Sequence, residues 1–162
     1  MQMESLKDLL VEELKDLYSA EKQLVKAIPK MVKAATHPQL KKAFQDHLKK
    51  TEVHVKRLER VCAELDVSPR GKKCEGMEGL IKEAAGLIQE KPEKDVLDAG
   101  LIAAAQHVEH YEMAGYGCVR TYARTLGFDA QADILQQTLD EEGEADHLLT
   151  ALAESSINID AE

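Results

Sequence analysis

The chain has no tryptophan, two phenylalanines and four tyrosines, so aromatics make up only 4% of its 162 residues. Sheets draw on aromatic and β-branched residues, and this shortage argues against strands. Four prolines and nine glycines leave few places where the chain is compelled to turn. No apolar run approaches the ~20 residues of a transmembrane helix, which excludes a spanning segment. The three cysteines, Cys62, Cys74 and Cys118, are odd in number and lack C-x-x-C spacing, so neither a disulfide framework nor a thiolate metal site is supported. Cys62 reads as a buried residue on a helix. Positive charge is also in the minority. Against 30 acidic residues stand 21 Lys and Arg, giving a net charge of −9 that repels phosphate backbones and anionic lipid. Neither nucleic acid nor a membrane is an expected partner. The start, Met1-Gln-Met-Glu-Ser-Leu-Lys, has no basic region followed by an apolar stretch, so the expected location is the cytoplasm.

What the chain does have is Leu, Ala, Glu and Lys in quantity, with 44% hydrophobic and 31% charged residues, the composition of long helices. Its length predicts one domain, residues 1–162, with a core that needs no staples. The breakers fall at Thr36-His37-Pro38, Val67-Ser-Pro-Arg-Gly71, Lys91-Pro92 and Gly127-Phe-Asp129. Pro38 and Pro92 suit the first turn of a helix, Asp129 an N-cap, and Gly127 the position just past a helix end. Helices are therefore expected near 5–35, 38–66, 93–126 and 130–156, with a shorter fifth near 76–90 inside the one long connection. Pro29 lies within the first pattern and predicts a kink there, because the apolar period continues through it.

The apolar positions step by 3 and 4, which places them on one stripe of each helix. They run Leu10, Leu14, Leu17, Glu21, Leu24, Ile28, Met31, Ala35 in the first helix, and Leu40, Phe44, His47, Thr51, His54, Leu58, Val61, Leu65 in the second. The third gives Ile102, Ala105, Glu109, Glu112, Tyr116, Val119, Ala123, Leu126, and the fourth Leu135, Leu139, Glu142, Asp146, Leu149, Ala153. Every stripe turns polar at its middle. Short turns at 36–38 and 127–129 make helices 1/2 and 3/4 antiparallel neighbours, so the midpoints share one level. The polar residues meet in a layer.

Moving an ionised carboxylate into an apolar core costs several kcal/mol even after relaxation, and a cluster of them repels itself. Glu21, Glu109, Glu112, Glu142 and Asp146, with His47 and His54 opposite, have no Lys or Arg on the same stripe to neutralise them. Metal cations would do so. Carboxylate and imidazole without thiolate favour iron or manganese over structural zinc, and five acids suffice for two ions. His47 is equally readable as a histidine satisfied at the rim. Glu144-Ala-Asp-His147 matches the Glu-x-x-His pair of di-iron bundles. It shares its stripe with Gln137 and Asp140, however, so the register favours Glu142 and Asp146 as ligands and leaves Glu144 and His147 on a solvated face. The competing reading is a hydrogen-bonded polar layer that only fixes helix register.

Several segments resemble the ferritin-like YciE/YciF family of bacterial stress proteins, most closely its YciF type. They are Tyr18-Ser-Ala-Glu-Lys-Gln-Leu24, His47-Leu48 with Thr51, Cys74 with Met77-Glu-Gly-Leu-Ile81, Ala99 through Gln106, Val108-Glu-His-Tyr-Glu112, and Thr138-Leu with Glu141-Glu142 and Asp146. The resemblance covers nearly the whole chain. It implies an all-α, ferritin-like four-helix bundle with a short extra helix in the crossover between helices 2 and 3, a homodimer, a dinuclear metal site and a link to stress. Lys50 stands where a carboxylate is expected and His54 where Gln is expected, so the second helix offers no aligned glutamate. His54 then serves as a nitrogen ligand and Glu109 supplies the missing carboxylate. On this reading a dinuclear iron or manganese centre reacts with dioxygen or peroxide, and Tyr18, one turn before Glu21, is its candidate hydrogen-bond donor or electron source. The alternative is a non-enzymatic helical dimer or a protein that binds a stress partner. Glu21→Ala and Glu142→Ala should each markedly lower metal occupancy by elemental analysis, with Glu144→Ala and His147→Ala nearly unchanged. The opposite ranking would reverse the register assigned to the last helix.

Overall fold

The structure, a computed structural model, describes residues 3–162. Met1 and Gln2, part of the start read above for a leader, lie outside the described residues. The helices are α1 (Leu6–Ala34), α2 (Pro38–Glu64), α3 (Glu75–Gln89), α4 (Lys94–Thr125), α5 (Asp129–Leu152) and the single turn α6 (Asn158–Asp160), with a π-helical turn at Ala153–Ile157 between the last two. No strand occurs among the described residues. This is a ferritin-like four-helix bundle of α1, α2, α4 and α5, with α3 in the crossover.

The ends of the helices follow from local chemistry. The Ser5 hydroxyl accepts a hydrogen bond from the Asp8 amide at 3.1 Å and caps α1. α1 runs unbroken through Pro29, and its buried stripe continues from Ile28 to Met31. At the start of α2, His37 Nδ1 accepts from the Gln39 amide and Pro38 takes the first helical position, where no amide proton is needed. Three helices close with a left-handed residue, at Asp66 (φ 57°), Lys91 (φ 49°) and Gly127 (φ 80°). After α4 the Phe128 amide reaches back to the Ala123 carbonyl at 2.8 Å and the Gly127 amide to Arg124 at 3.0 Å. This closure carries the chain directly into α5, so Phe128 occupies the cap position and Asp129 begins the helix, one place later than its expected capping role. Pro92 likewise precedes α4, whose cap position is Glu93, and does not sit in the first turn.

Two apolar clusters fill the bundle. One joins Leu24 and Ile28 of α1, Leu40 and Phe44 of α2, Leu101 and Ile102 of α4, and Leu149 and Leu152 of α5. The other joins Leu10 and Leu14, Leu58 and Val61, Val119 and Ala123, and Ala132 and Leu135 of the same helices. In each neighbouring pair the early part of one helix meets the late part of the next, so the pairs α1/α2, α2/α5, α5/α4 and α4/α1 are all antiparallel. The end of α2 and the start of α4 consequently lie at opposite ends of the bundle. The connection must run its length, and α3, at 1.5 Å rise per residue, covers roughly 22 Å of that path. Its Met77 and its cap residue Cys74 are buried in the first cluster.

Two close contacts hold these helices in place. The buried Asp98 of α4 accepts from the Thr36 amide at 2.8 Å and the His37 amide at 2.9 Å, pinning the α1–α2 turn. At Gly115 a Cβ would stand 2.8 Å from the Leu17 side chain, so the approach of α1 to α4 at mid-bundle needs a glycine or a shift of Leu17.

The left-handed positions generate a prediction. A Cβ at Gly127 would meet nothing within 4 Å, so Gly127→Ala costs only backbone strain, about 1 kcal/mol, whereas Lys91→Gly should stabilise by about 0.5–1 kcal/mol. Urea unfolding curves of the two variants should move in opposite directions.

Candidate metal centre

Between the two apolar clusters the four stripes turn polar together. Glu21, Thr51, His54, Glu109, Glu112, Thr138 and Glu142 are all buried. α1 supplies Glu21, α2 supplies His47 and His54 two turns apart, α4 supplies Glu109 and Glu112 one turn apart, and α5 supplies Glu142. Their ligand atoms gather in two groups. In the first, one atom each from His47, Glu109, Glu112 and Glu142 lie within 4.8 Å of one another; in the second, Glu21, His54 and Glu142 do so. Glu142 belongs to both. His47 Nε2 lies 3.0 Å from Glu109 Oε1 and 3.9 Å from Glu142 Oε2, while His54 Nδ1 lies 2.9 Å from Glu142 Oε1 and 3.4 Å from Glu21 Oε1.

Around this layer a set of bonds orients the donors. Tyr116 donates to Glu21 Oε1 at 2.6 Å. His54 Nε2 lies 2.7 Å from Glu141 Oε2, and Glu141 accepts two further bonds from the Arg57 guanidinium, at 2.7 and 2.9 Å. Arg57 also donates to Thr138 at 3.2 Å. Because Glu141 is acceptor-only and held below the usual carboxylate range chiefly by Arg57, His54 must present its Nε2 proton there and turn Nδ1 toward Glu21 and Glu142.

Electrostatics divides the layer. Burial, and then the neighbouring Glu142, Glu21 and Asp146, raise Glu109 well above the usual range. Glu112 is raised in the same way by burial and the charges of Glu142, Glu21 and Glu109. Glu142 goes the other way. Burial opposes its charge, but close contact with Glu109 and the two histidines holds it at about 2. His54 is likewise opposed by burial, and its pairing with Glu142 and Glu21 lifts it to about 10. Burial pushes His47 down.

The residues fit a metal. Glu21 Oε2, both nitrogens of His47, His54 Nδ1, Glu109 Oε2 and both oxygens of Glu112 and of Glu142 are buried without a hydrogen-bond partner. Such orphaned atoms are rare in a folded protein, and here they converge on one volume. The donors are oxygen and nitrogen with no thiolate, a set suited to iron or manganese.

Not every expected site residue joins this cluster. Asp146 lies on the Glu142 stripe and raises Glu109, but it is outside both groups, and its Oδ1 faces His110 Nε2 at 3.2 Å near the bundle rim. Tyr18 does not point inward; its hydroxyl donates to Glu59 at 2.9 Å. The phenol at the layer is Tyr116. Leu17 holds the seam position one turn before Glu21 and leaves Tyr18 beside it, whereas Tyr116 continues the seam four residues past Glu112. Glu144 and His147 are exposed. No Lys or Arg stands on the stripes at this level, but Arg57 approaches from beside them. It lies one turn past His54, off the seam, and reaches the layer through Glu141, whose own position next to Glu142 gave no sign in the pattern.

Fold and site together define a ferritin-like helical bundle carrying a central carboxylate–histidine layer. The chain belongs to the DUF892 family, described as a domain of unknown function, whose profile matches residues 5–162. Protein YciF of Escherichia coli strain K12 is 42% identical over 163 residues, spanning 100% of this chain and 98% of that protein. The crystal structure of that E. coli stress protein matches with a TM-score of 0.93 over 96% of this chain and 99% of the other. YcfI from Rhodopseudomonas palustris, described as a candidate structural protein, is 40% identical with a TM-score of 0.89, over 92% of this chain and 95% of that one. The family is thus that of the YciF-type stress proteins.

The titrations set a sign for the metal-free protein. Glu109 and Glu112 are raised, so the fold loses stability as pH climbs above their unfolded value of ~4.3. His54, raised to about 10, contributes stability in full below its unfolded value of ~6.5, and this is lost as pH rises toward 10. Glu142 matters only below ~4.3, and His47 opposes only below ~6.5. Between pH 8.5 and 6.5 the charge on His54 sets the sign, and the shifts of Glu109 and Glu112, which run in the same direction, do not oppose it. Each group titrating there is worth up to ~1.4 kcal/mol per pH unit, so Tm of chelator-treated protein should be several degrees higher at pH 6.5 than at 8.5. A Tm that falls on this acidification would refute the charge distribution described.

Proposed function

We propose that this chain is a cytoplasmic, homodimeric stress protein of the ferritin-like class that holds two iron or manganese ions in its central layer and reacts with a small oxidant, dioxygen or peroxide. One observation carries the reading: buried, unpartnered donor atoms from four helices converge in two groups that share Glu142. The dimer is carried over from the family resemblance.

His47, Glu109, Glu112 and Glu142 would hold one ion, and Glu21, His54 and Glu142 the other. Bound iron or manganese would supply the electrons that a small oxidant takes up and the positive charge that the carboxylates lack. The chain's own groups do the rest. Glu142 is placed to serve both ions, Glu141 fixes the ring of His54, and Tyr116 steadies Glu21 through its hydroxyl proton. The apolar clusters above and below exclude bulk water from the layer and strengthen each of these interactions.

A second reading, a structural bundle without ions, has its own support. The proton on Glu109 and the charge on His54 already offset part of the layer, and YcfI, a relative, is described as a candidate structural protein. Elemental analysis of protein purified without chelator separates the two. About two Fe or Mn ions per chain are expected, with a stabilisation of ~2.7 kcal/mol at a hundredfold excess of ion over Kd, or ~5–10 °C in Tm. A folded protein that arrives without metal, refuses added Fe(II) and Mn(II) and keeps its Tm would establish the structural reading.

A further inference from the structure

One cavity of about 40 Å³ lies against the layer and reaches only one of its two halves. Of its twelve lining residues ten are apolar, among them Phe44, Ala105, Val108 and Ala145, and the two polar ones are His47 and Glu109. Both nitrogens of His47 and Glu109 Oε2 are buried without a hydrogen-bond partner. Leu148, also on the lining, is 50% exposed and marks the mouth on the surface of α5. The other half of the layer is closed. The next stripe residues beyond Glu21 and His54 are Leu17 and Leu58, and these two and Tyr116, which donates to Glu21, have at most 1% of their surface exposed.

From this asymmetry we infer that the cavity is an access chamber for a small apolar molecule of the dioxygen type, and that it delivers this molecule to the His47–Glu109 half of the centre and not to the Glu21–His54 half. The inference rests on the metal reading and adds to it a route, a side and a chemical class. A buried water needs two to four polar partners, and a void of ~10–15 Å³ suffices for one by volume. This chamber has the volume, but its polar partners stand only at the inner end, so most of it is suited to a molecule with no hydrogen bonds to lose. The same lining penalises hydrogen peroxide, which would leave its donors and acceptors unmet along the way. Its size is well below the ~150 Å³ of an engineered apolar cavity that takes benzene or xenon, which limits the occupant to a few heavy atoms.

The experiment uses xenon and nitric oxide as probes, one independent of metal and one dependent on it. In crystals of the metal-free full chain under xenon pressure, density is expected in the chamber, and Ala145→Leu, which narrows it, should abolish that density. In Fe(II)-loaded protein, the visible absorption of the iron–nitrosyl adduct, followed by stopped flow, should form at least tenfold more slowly in Ala145→Leu with iron content unchanged. It should form faster in Leu148→Ala, a change at an exposed position that the fold tolerates. Xenon absent from the chamber, or nitric oxide binding at the wild-type rate in both variants, would overturn the chamber even in a protein that binds two ions. Xenon in the chamber of a protein that binds no ion would overturn the metal reading, and delivery with it.

Discussion

Four carboxylates on the axis of a helical bundle are the constraint on which the rest of this structure depends. An isolated buried carboxylate costs several kcal/mol, and four within one layer repel one another as well. The metal-free chain meets that cost with its own groups. Glu109 holds a proton against Glu142, His54 carries a positive charge between Glu21 and Glu142, and Arg57 acts one residue further out by fixing Glu141. These devices are unequally distributed. The His54 half is compensated by a cation and closed by large side chains, whereas the His47 half has a neutral imidazole, the two raised glutamates and an apolar cavity. The layer is therefore chemically lopsided before any ion enters.

The apolar halves above and below make this layer affordable. Each is built by all four main helices. The antiparallel order follows from the two short turns, and it forces the long connection that α3 fills. The start of α3 in turn is tied down by its cap residue Cys74, whose amide donates to Ser19 at 2.9 Å and whose thiol donates to Asp16 at 3.2 Å and lies 3.0 Å from the Tyr111 hydroxyl. The crossover is thus fixed to α1 and α4 at the level where Gly115 lets those helices approach.

The bundle and most of the layer were legible in the sequence because steps of 3 and 4 report directly on which side of a helix faces inward. Glu21, Glu109, Glu112 and Glu142 interrupt otherwise apolar stripes, and the symmetry of helix midpoints places them at one level. What the pattern could not show is which neighbours reach in from beside the stripe. Glu141 and Arg57 sit on polar faces like many other charged residues, and only the approach of α2 to α5 makes them partners of His54. Tyr18 and Tyr116 show the same limit, since both lie near seam glutamates, and a rotation of the helix face decides which phenol turns inward. Asp146 keeps the period but runs out of depth, because one turn beyond Glu142 the bundle already opens toward solvent at His110.

The distribution of donors along the helices bears on the departure at Lys50. Di-iron carboxylate bundles draw one Glu from each of two helices and a Glu-x-x-His pair from each of the other two, four carboxylates and two imidazoles in all. This chain has the same six groups allotted differently. α2 gives both imidazoles and no carboxylate, and α4 gives Glu109 and Glu112 in place of a Glu-x-x-His pair. The missing glutamate of α2 has in effect crossed the bundle to α4, and the inventory of charge is preserved. Four carboxylates match two divalent cations, so with both imidazoles neutral the filled layer would carry no net charge between its apolar halves. A substitution that changed the total would leave an uncompensated charge in the core; one that moves a carboxylate between facing helices does not. On this view the charge total constrains the layer more tightly than the identity of the helix that supplies each donor.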